Sequence, residues 1–188
     1  MADDPVAEAF AAVPRVWFLP ERERRRAAYD GPLDIGHGQT NSQPRTVENM
    51  LRLLEVRRGD RVLDVGSGSG WTTGLLAHLT GPTGEVLAVE LEPALVRTGR
   101  VNLARGAWPW ARIEQADPER YGDAGHAPYD RILVSAEAAE LPAALVAQLA
   151  PDGRMVVPVA GRMLLVQARR DGPPEVTAHG RYRFVPLR

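Results

Sequence analysis

Cysteine and lysine are both absent from the sequence, and all 23 basic residues are arginine. Without cysteine the chain cannot form a disulfide, a thiolate nucleophile or a cysteine-ligated zinc site. Without lysine it cannot use a Schiff base or a lysine general base. Its 4 histidines are scattered along the chain without the spacing of metal ligands. The composition therefore excludes several classes of enzyme, and no metal site is predicted.

Long apolar runs and a marked net charge are also missing. No segment reaches the roughly 18 apolar residues that a membrane span needs, and the acidic N-terminus lacks the features of an export signal. A formal net charge of -1 provides no general attraction to nucleic acid or to an anionic membrane. We therefore expect a cytoplasmic monomer that binds neither nucleic acid nor membrane.

The middle of the chain alternates apolar β-type segments with helical patterns, which is typical of βαβ units in a mainly parallel sheet. Helices are predicted to begin near Trp71, Pro93 and Leu141. The short gap at Gly161 leaves no room for a helical crossover, so the strands on its two sides should be antiparallel. The predicted strands cover these ranges: Arg61–Val65, Glu85–Glu90, Ala111–Ala116, Arg131–Ser135, Arg154–Val159, Met163–Arg170 and Tyr182–Leu187.

The N-terminal part is predicted to be helical over residues 5–30 and to form a loop from Gly31 to Pro44. A helix with one buried stripe should follow, because apolar residues recur at helical spacing at Val47, Met50, Leu51 and Leu54. A similar stripe predicts the last helix, at Leu141, Leu145 and Leu149. We expect a single domain over residues 1–188, with an N-terminal part over 1–57 and an α/β core over 58–188.

A buried strand runs into three alternating glycines, Gly66, Gly68 and Gly70, and then into a helix. Such a loop lets a ligand approach the backbone closely, although tight turns also use glycine for steric reasons alone. Glu90 ends the next predicted strand, where a carboxylate can accept hydrogen bonds from both ribose hydroxyls of a nucleoside. Trp71 stands where a dinucleotide fingerprint needs a small residue. The pattern therefore predicts a nucleoside site that does not bind NAD.

This glycine loop, on a strand that carries Asp64, resembles that of class I methyltransferases, which use S-adenosyl-L-methionine. The resemblance implies a Rossmann-like α/β fold with a mainly parallel seven-stranded sheet, an antiparallel C-terminal edge and helices on both faces. It implies that Glu90 holds the ribose and that Asp117 reaches the adenine amine, although Asp-Pro after a strand is also a common turn. The implied cofactor-binding residues are Asp64, Gly66, Ser67, Gly68, Gly70, Glu90, Leu91 and Asp117.

The segment Pro32–Pro44, together with Val13-Pro14-Arg15 and Leu149–Arg154, resembles the protein-L-isoaspartate O-methyltransferases. The resemblance implies that Thr40 and Ser42 are the catalytic residues, with the Ser42 hydroxyl beside the carboxylate to be methylated on a peptide or protein. In that family the ester closes to a succinimide, which hydrolyses partly to normal aspartate and so begins a repair. Ser42 would also suit the N-cap of the following helix.

A carboxylate acceptor agrees with the side chains that the sequence offers. A carboxyl group is already ionised at neutral pH, whereas an amine or alcohol acceptor usually needs a base or a metal. His37, between two glycines, is expected to have a structural role. Positioning by neutral donors such as Thr40 and Ser42 suits a transition state in which carboxylate and sulfonium charges cancel.

Three alternatives stay open. One is an enzyme that methylates an ordinary aspartate in a dedicated peptide and leads to an aspartimide. Another is a non-catalytic nucleoside-binding relative, and the third is a small-molecule methyltransferase that uses His37 as base. Asn41, where the family usually has an apolar residue, and Pro118, where it often has glycine, put the acceptor specificity in question.

Overall fold

The computed structural model describes residues 4–188, which form a central sheet flanked by helices. The helices are α1 Pro5–Ala12, α2 Pro44–Leu54, α3 Trp71–Thr80, α4 Pro93–Leu103 and α5 Ala143–Val146. The strands are β1 Leu33–Gly36, β2 Gln39–Asn41, β3 Arg61–Val65, β4 Glu85–Glu90, β5 Ala111–Gln115, β6 Tyr129–Val134, β7 Leu149–Val159, β8 Arg162–Gln167 and β9 Glu175–Arg181. None of the described helices is long and apolar enough to span a membrane.

The central sheet has seven strands in the order β5-β4-β3-β6-β7-β8-β9. Strands β3 to β7 are parallel, whereas β8 is antiparallel to β7 and β9 is antiparallel to β8. This arrangement confirms the predicted fold class and the antiparallel pair around Gly161. The chain moves outward from β3 to β5 and then returns to the other side of β3. The crevice beyond the carboxyl end of β3 is therefore the expected ligand site of such a sheet.

Both faces of the sheet are covered, which explains the nearly continuous apolar runs in β3, β4 and β6. Alternate residues of β3 point to opposite faces, with Val62 in the core formed with α1, α2 and α3 and Leu63 in the core that includes α5. The helix α4 packs beside α3, where Val96 and Leu103 contact Ile113 of β5. The helices and strands of the core thus hold the strand ends around the crevice in fixed positions.

The N-terminal part differs from the prediction of one helical segment. Residues 5–30 form α1 and two short 3-10 helices, Arg15–Phe18 and Glu21–Arg26. Pro14 and Pro20 separate these pieces, because proline cannot continue the hydrogen bonding of a helix interior. The segment from Gly31 to Pro44, predicted to be a loop, contains the β1-β2 hairpin. Its strands are too short to give a recognisable pattern in the sequence.

The C-terminal part also required two corrections. The predicted helix from Leu141 is only the four-residue α5, and Leu149 begins β7 instead of ending a helical stripe. The last strand is β9, not Tyr182–Leu187. Residues after β9 cross the carboxyl edge of the sheet, where Glu137 donates its amide to the Val185 carbonyl and accepts from the Leu187 amide, each at 2.7 Å. Alternating apolar residues in this tail contact the core without continuing the sheet.

Candidate functional site

A cavity opens beyond the carboxyl ends of β3, β4 and β6, beside the glycine loop. The three loop glycines have positive φ angles, 77° at Gly66, 55° at Gly68 and 93° at Gly70, a region that other residues rarely adopt. Gly66 and Gly68 line the cavity. A side chain at Gly68 would begin 3.2 Å from Ile35 Cδ1. The loop therefore presents bare backbone to the cavity, as a closely bound ligand requires.

Gly70 has a different role from the other two glycines, because it does not line the cavity. A Cβ atom there would lie 3.2 Å from the Gly99 carbonyl oxygen and 3.1 Å from Ile113 Cδ1. Gly70 thus allows the start of α3 to pack closely against α4. The contacts of Gly70 are with the core, and its membership of the cofactor site stays a prediction.

Glu90 ends β4 and fixes the shape of the loop. Its carboxylate accepts the amide of Gly68 at 2.8 Å and the amide of Glu92 at 2.9 Å, one on each oxygen. A carboxylate has about four lone-pair positions, so two remain for a ligand. Glu90 and Leu91 both line the cavity. Two backbone amides therefore hold the carboxylate at the wall of the cavity, and a contact with a ribose stays a prediction.

Asp64 lies beneath the loop and outside the lining of the cavity. Its Oδ2 accepts the hydroxyls of Thr72 and Thr73 at 2.8 and 2.7 Å, while Oδ1 has no partner among the described residues. Burial raises the pKa of Asp64 to about 6. The side chain therefore ties the start of α3 to β3. Asp64 does not reach the main cavity, so any effect on binding would act through the glycine loop.

Ser67 lines a small cavity between the glycine loop and the β1-β2 hairpin. Its buried hydroxyl, like Asp64 Oδ1, has no hydrogen-bond partner among residues 4–188. Unpaired buried polar atoms are costly unless a ligand or water satisfies them. Together with the bare backbone at Gly66 and Gly68, this polar, partly unsatisfied loop fits the methionine end of S-adenosyl-L-methionine.

Asp117 follows β5 and lines the far side of the main cavity. Its Oδ1 accepts the amide of Glu119 at 2.9 Å, so it also stabilises a turn. Asp117 can thus stabilise a turn and still face a ligand, because the turn uses only Oδ1. The other oxygen, Oδ2, lies 3.6 Å from Nε of the exposed Arg120. The position is suitable for contact with an adenine amine.

Other walls of the cavity were not identified from the sequence. They come from Arg120–Gly122, from Ser135 and Ala136 after β6, and from the tail Val185–Arg188. The position of Ser135 at the end of a central parallel strand was a usable signal, because ligands bind beyond such ends. The tail gave no comparable signal, since its path depends on the backbone bonds to Glu137.

A groove adjoins the main cavity on the side of the hairpin. Thr40 and Ser135 line both the cavity and the groove. Ser42 lines the groove and the small cavity beside the glycine loop. The structure thus brings the predicted catalytic pair, Thr40 and Ser42, to the junction between the cofactor loop and an open groove. A reactant in the groove would meet a ligand on the loop at these hydroxyls.

Ser42 is not the N-cap of α2, which corrects the alternative interpretation of this residue. The cap position is Gln43, and α2 has no side-chain cap hydrogen bond. Pro44 does occupy the first turn, as expected. The Ser42 hydroxyl therefore does not cap the start of α2. The Ser42 carbonyl accepts a hydrogen bond from Arg15 at 2.8 Å.

Comparison with known proteins agrees with this geometry. The family model for protein-L-isoaspartate(D-aspartate) O-methyltransferase matches residues 1–188. The chain belongs to this family. Relatives named protein-L-isoaspartate O-methyltransferase occur in Methanopyrus kandleri, 43% identical over 97% of this chain and 82% of the relative, and in Aeropyrum pernix, 43% identical over 97% of this chain and 72% of the relative.

Two solved structures of the family resemble the whole chain. One, described as a protein-L-isoaspartate O-methyltransferase, has a TM-score of 0.88 at 25% identity and covers 98% of this chain, which spans 61% of that structure's length. The other, from Plasmodium falciparum, was solved in complex with S-adenosyl-L-homocysteine. It has a TM-score of 0.83 at 26% identity and covers 100% of this chain and 92% of its own.

Asn41, the position at which the chain departs from the usual family pattern, lies inside the structure. Its Oδ1 accepts Arg15 Nε at 2.7 Å, and its amide donates to Ser69 Oγ at 3.3 Å. The side chain is buried and lines the small cavity beside the glycine loop, not the groove. Its hydrogen bonds link the acceptor hairpin to the glycine loop, and a polar contact from Asn41 to the acceptor stays a prediction.

Arg15 is the centre of this link. Its guanidinium also donates to the carbonyls of Tyr29 at 2.8 Å, Gly31 at 2.9 Å and Asn41 at 3.0 Å. It lies 5.3 Å from the centroid of the Trp71 ring. Burial lowers the pKa of Arg15 to about 10, so it stays charged at neutral pH. One buried cation thus fixes the hairpin against the start of α3.

His37 lies in the β1-β2 turn, with a φ of 57°. It lines the main cavity, does not line the groove, and its Nδ1 is 3.7 Å from Glu92 Oε1. His37 is therefore not placed to act as a base on a small molecule in the groove. Among the residues that the structure describes, no group of three or more acidic or histidine side chains is arranged to hold a metal.

Proposed function

We propose that the chain transfers a methyl group from S-adenosyl-L-methionine to the carboxyl group of an L-isoaspartyl residue in a peptide or protein. Family membership and the names of the relatives support this assignment. The observation that carries it is the junction at which Thr40, Ser42 and Ser135 separate the cofactor loop from an open groove. An open groove suits a peptide better than a small molecule.

The residues around the main cavity would hold the cofactor. Glu90 would accept the ribose hydroxyls, Asp117 would face the adenine amine, and the backbone at Gly66 and Gly68 would flank the methionine part. When bound, S-adenosyl-L-methionine supplies a methyl group on a positively charged sulfur. The tail Val185–Arg188 lies over the same cavity and would limit the access of water to it.

The chain's own contribution to the reaction is positioning. The acceptor carboxylate is ionised at neutral pH and needs no base. The hydroxyls of Ser42, Thr40 and Ser135 are neutral donors that can orient a carboxylate without stabilising its charge as strongly as an arginine would. Since the carboxylate loses its charge during transfer, strong cationic contacts would favour the ground state over the transition state.

The product ester is uncharged and has a better leaving group than the free acid. The neighbouring backbone nitrogen can therefore attack the ester carbonyl, which breaks the C–O bond, releases methanol and closes a succinimide that water hydrolyses partly to normal aspartate. This step requires no residue of the chain, so the enzyme begins a repair that is completed in solution. A cytoplasmic location and a monomeric state stay predictions from the sequence.

The test compares an isoaspartyl peptide with its aspartyl twin, using labelled methyl donor and mass spectrometry of the products. We expect methyl incorporation into the isoaspartyl peptide at a rate at least about tenfold higher, which corresponds to about 1.4 kcal/mol of discrimination. A preference for the aspartyl twin would favour the enzyme of a dedicated aspartyl peptide. Tight binding of S-adenosyl-L-homocysteine without transfer to either peptide would favour a nucleoside-binding protein.

A further inference from the structure

The groove next to the reactive junction is lined by three arginines. Arg45, at the start of α2, lines one wall, and Arg181 and Arg183, at the end of β9 and just beyond it, line the other. The remaining lining residues are neutral, and no carboxylate lies among them. A local field of this kind is unexpected from the formal net charge of -1. It is therefore a feature of this groove and not of the whole surface.

The arginines of the groove are available to a partner. Arg181 and Arg183 are exposed, and neither forms an ion pair within residues 4–188. Arg45 has Asp30 at 3.3 Å, with the arginine side chain 76% exposed, a pair that contributes little at such exposure. The guanidinium forks on the two walls can thus bind carboxylates that enter between them.

The arginines and the neutral hydroxyls occupy different parts of the groove. Thr40, Ser42 and Ser135 are shared with the cavities on the cofactor side, whereas Arg45, Arg181 and Arg183 line the groove alone. The reacting carboxylate would therefore meet the hydroxyls, and the arginines would meet the residues that flank it. This separation suits the chemistry, since a cation on the reacting carboxylate would oppose its loss of charge.

We propose that this groove selects isoaspartyl peptides whose neighbouring residues are acidic. The inference depends on the function proposed above and specifies its substrate class. Charge complementarity in an exposed groove acts mainly on encounter and binding, so the preference should appear in KM more than in kcat. It should also weaken with salt, because the screening length falls to about 3 Å at 1 M ionic strength.

The experiment uses three isoaspartyl peptides of identical length whose residues on both sides are Glu, Gln or Lys. The chain is compared with an Arg181→Gln/Arg183→Gln variant and with Arg97→Gln as control. Arg97 is exposed on α4 and lines neither the groove nor the main cavity. Unfolding midpoints and S-adenosyl-L-homocysteine affinity establish that each variant is folded, with an intact cofactor site.

For the unmodified chain at low salt we expect a KM for the Glu-flanked peptide about fivefold lower than for the Gln-flanked one, in the range of two exposed ion pairs. The Lys-flanked peptide should have the highest KM. The double variant should reduce the Glu-to-Gln ratio below about twofold, and so should high salt, while Arg97→Gln should keep the full ratio.

Equal KM values for the Glu- and Gln-flanked peptides would overturn the groove proposal, and so would a Glu preference that survives in the double variant. Methylation of the Gln-flanked isoaspartyl peptide at a normal rate would in that case leave the proposed function intact. Aspartyl peptides of the same three sequences are assayed in parallel, and if these were methylated while no isoaspartyl peptide was, the proposed function itself would fail. The two failures are thus distinguishable within one set of assays.

Discussion

At the scale of single residues, the Ser42 hydroxyl is expected to orient the acceptor carboxylate. The Ser42→Ala variant should lower kcat by about 10- to 100-fold, because a hydrogen bond to a charged group contributes about 1.5–3 kcal/mol. Affinity for S-adenosyl-L-homocysteine should change less than kcat, since Ser42 lines the small cavity beside the glycine loop and not the main cavity.

Steady-state kinetics with an isoaspartyl peptide, together with calorimetry, provide the measurement for Ser42. Thr83→Ala is a suitable control, because Thr83 is exposed and lines neither the groove nor the main cavity. Full kcat in Ser42→Ala would show that the hydroxyl does not take part in positioning.

The buried Asp64 should make the stability of the chain depend on pH. Its pKa in the folded state is about 6, above the ordinary value of 3.8. The folded state therefore binds more protons than the unfolded state between these values, and stability should fall as pH rises through this window. About two pH units correspond to about 3 kcal/mol.

The Asp64→Asn variant should lack this fall, because asparagine does not titrate. Urea unfolding gives the free energy of unfolding of both proteins at pH 4 and pH 7. Comparing the change between the two pH values in each protein cancels any constant cost of the substitution. Parallel pH profiles for the two proteins would contradict the assignment.

Single-residue roles were predicted unevenly from the sequence. The position of Glu90 at the end of β4 could be predicted, because its spacing from the glycine loop reflects a fixed βαβ geometry. The surroundings of Asp64 and Gly70 could not, since a motif does not tell whether a residue faces the cavity or the core. Asp64 is held by Thr72 and Thr73 of α3, and Gly70 lies against Gly99 of α4.

At the scale of elements, the Arg15–Asn41–Ser69 link should couple the acceptor hairpin to the glycine loop. Asn41→Ala removes one partner of a buried guanidinium and one of Ser69, which should destabilise the chain by about 1–3 kcal/mol. It should also raise the KM for an isoaspartyl peptide, because Ser42 follows directly in the chain. Urea unfolding and steady-state kinetics measure the two effects.

The Asn41→Asp variant is the matched control for this link. An aspartate keeps an acceptor for Arg15 Nε, so most of the stability and of the KM should return. If Asn41→Asp and Asn41→Ala behaved alike, or if Asn41→Ala changed neither quantity, the link would have no role in positioning the hairpin.

Elements buried on both faces were the easiest to predict. The strands β3 and β4 match their predicted bounds, because a strand with both faces covered is apolar throughout. The edge strand β9 is largely exposed, and the hairpin strands β1 and β2 have only 4 and 3 residues, too few to establish a period. The tail after β9 does have alternating apolar residues, which explains why its sequence predicts a strand.

At the scale of the whole molecule, binding of S-adenosyl-L-homocysteine should stabilise the fold. At a concentration of about 100 times Kd the expected gain is about 2.7 kcal/mol. For a chain of this size, that gain raises the unfolding midpoint by about 5–10 °C. Differential scanning fluorimetry measures the shift.

Glu90→Gln should abolish most of this shift. Glutamine has one acceptor oxygen, which cannot replace the two that accept the amides of Gly68 and Glu92 and would also hold the ribose. Glu114→Gln is the control, since Glu114 forms only an exposed pair with Arg100. A full shift in Glu90→Gln would place the cofactor elsewhere, and no shift in the unmodified chain would show that it does not bind.

The site as a whole combines segments that are distant in the chain. The hairpin, four strand ends and the C-terminal tail meet around one cavity. The alternation of strands and helices predicted the sheet, and the resemblance of short motifs predicted Thr40 and Ser42. Neither could predict the basic groove, because Arg45 and Arg181 are distant in the chain and line the same groove only in the folded structure.

A crystal structure with S-adenosyl-L-homocysteine and an isoaspartyl peptide would test the central claim most directly. We predict that the ribose hydroxyls contact Glu90 and that the peptide carboxylate lies within hydrogen-bonding distance of Ser42 Oγ, on the side of the sulfur from which the methyl group was lost. A nucleoside bound outside the cavity at Gly66 and Gly68, or a peptide carboxylate far from Ser42, would contradict the account.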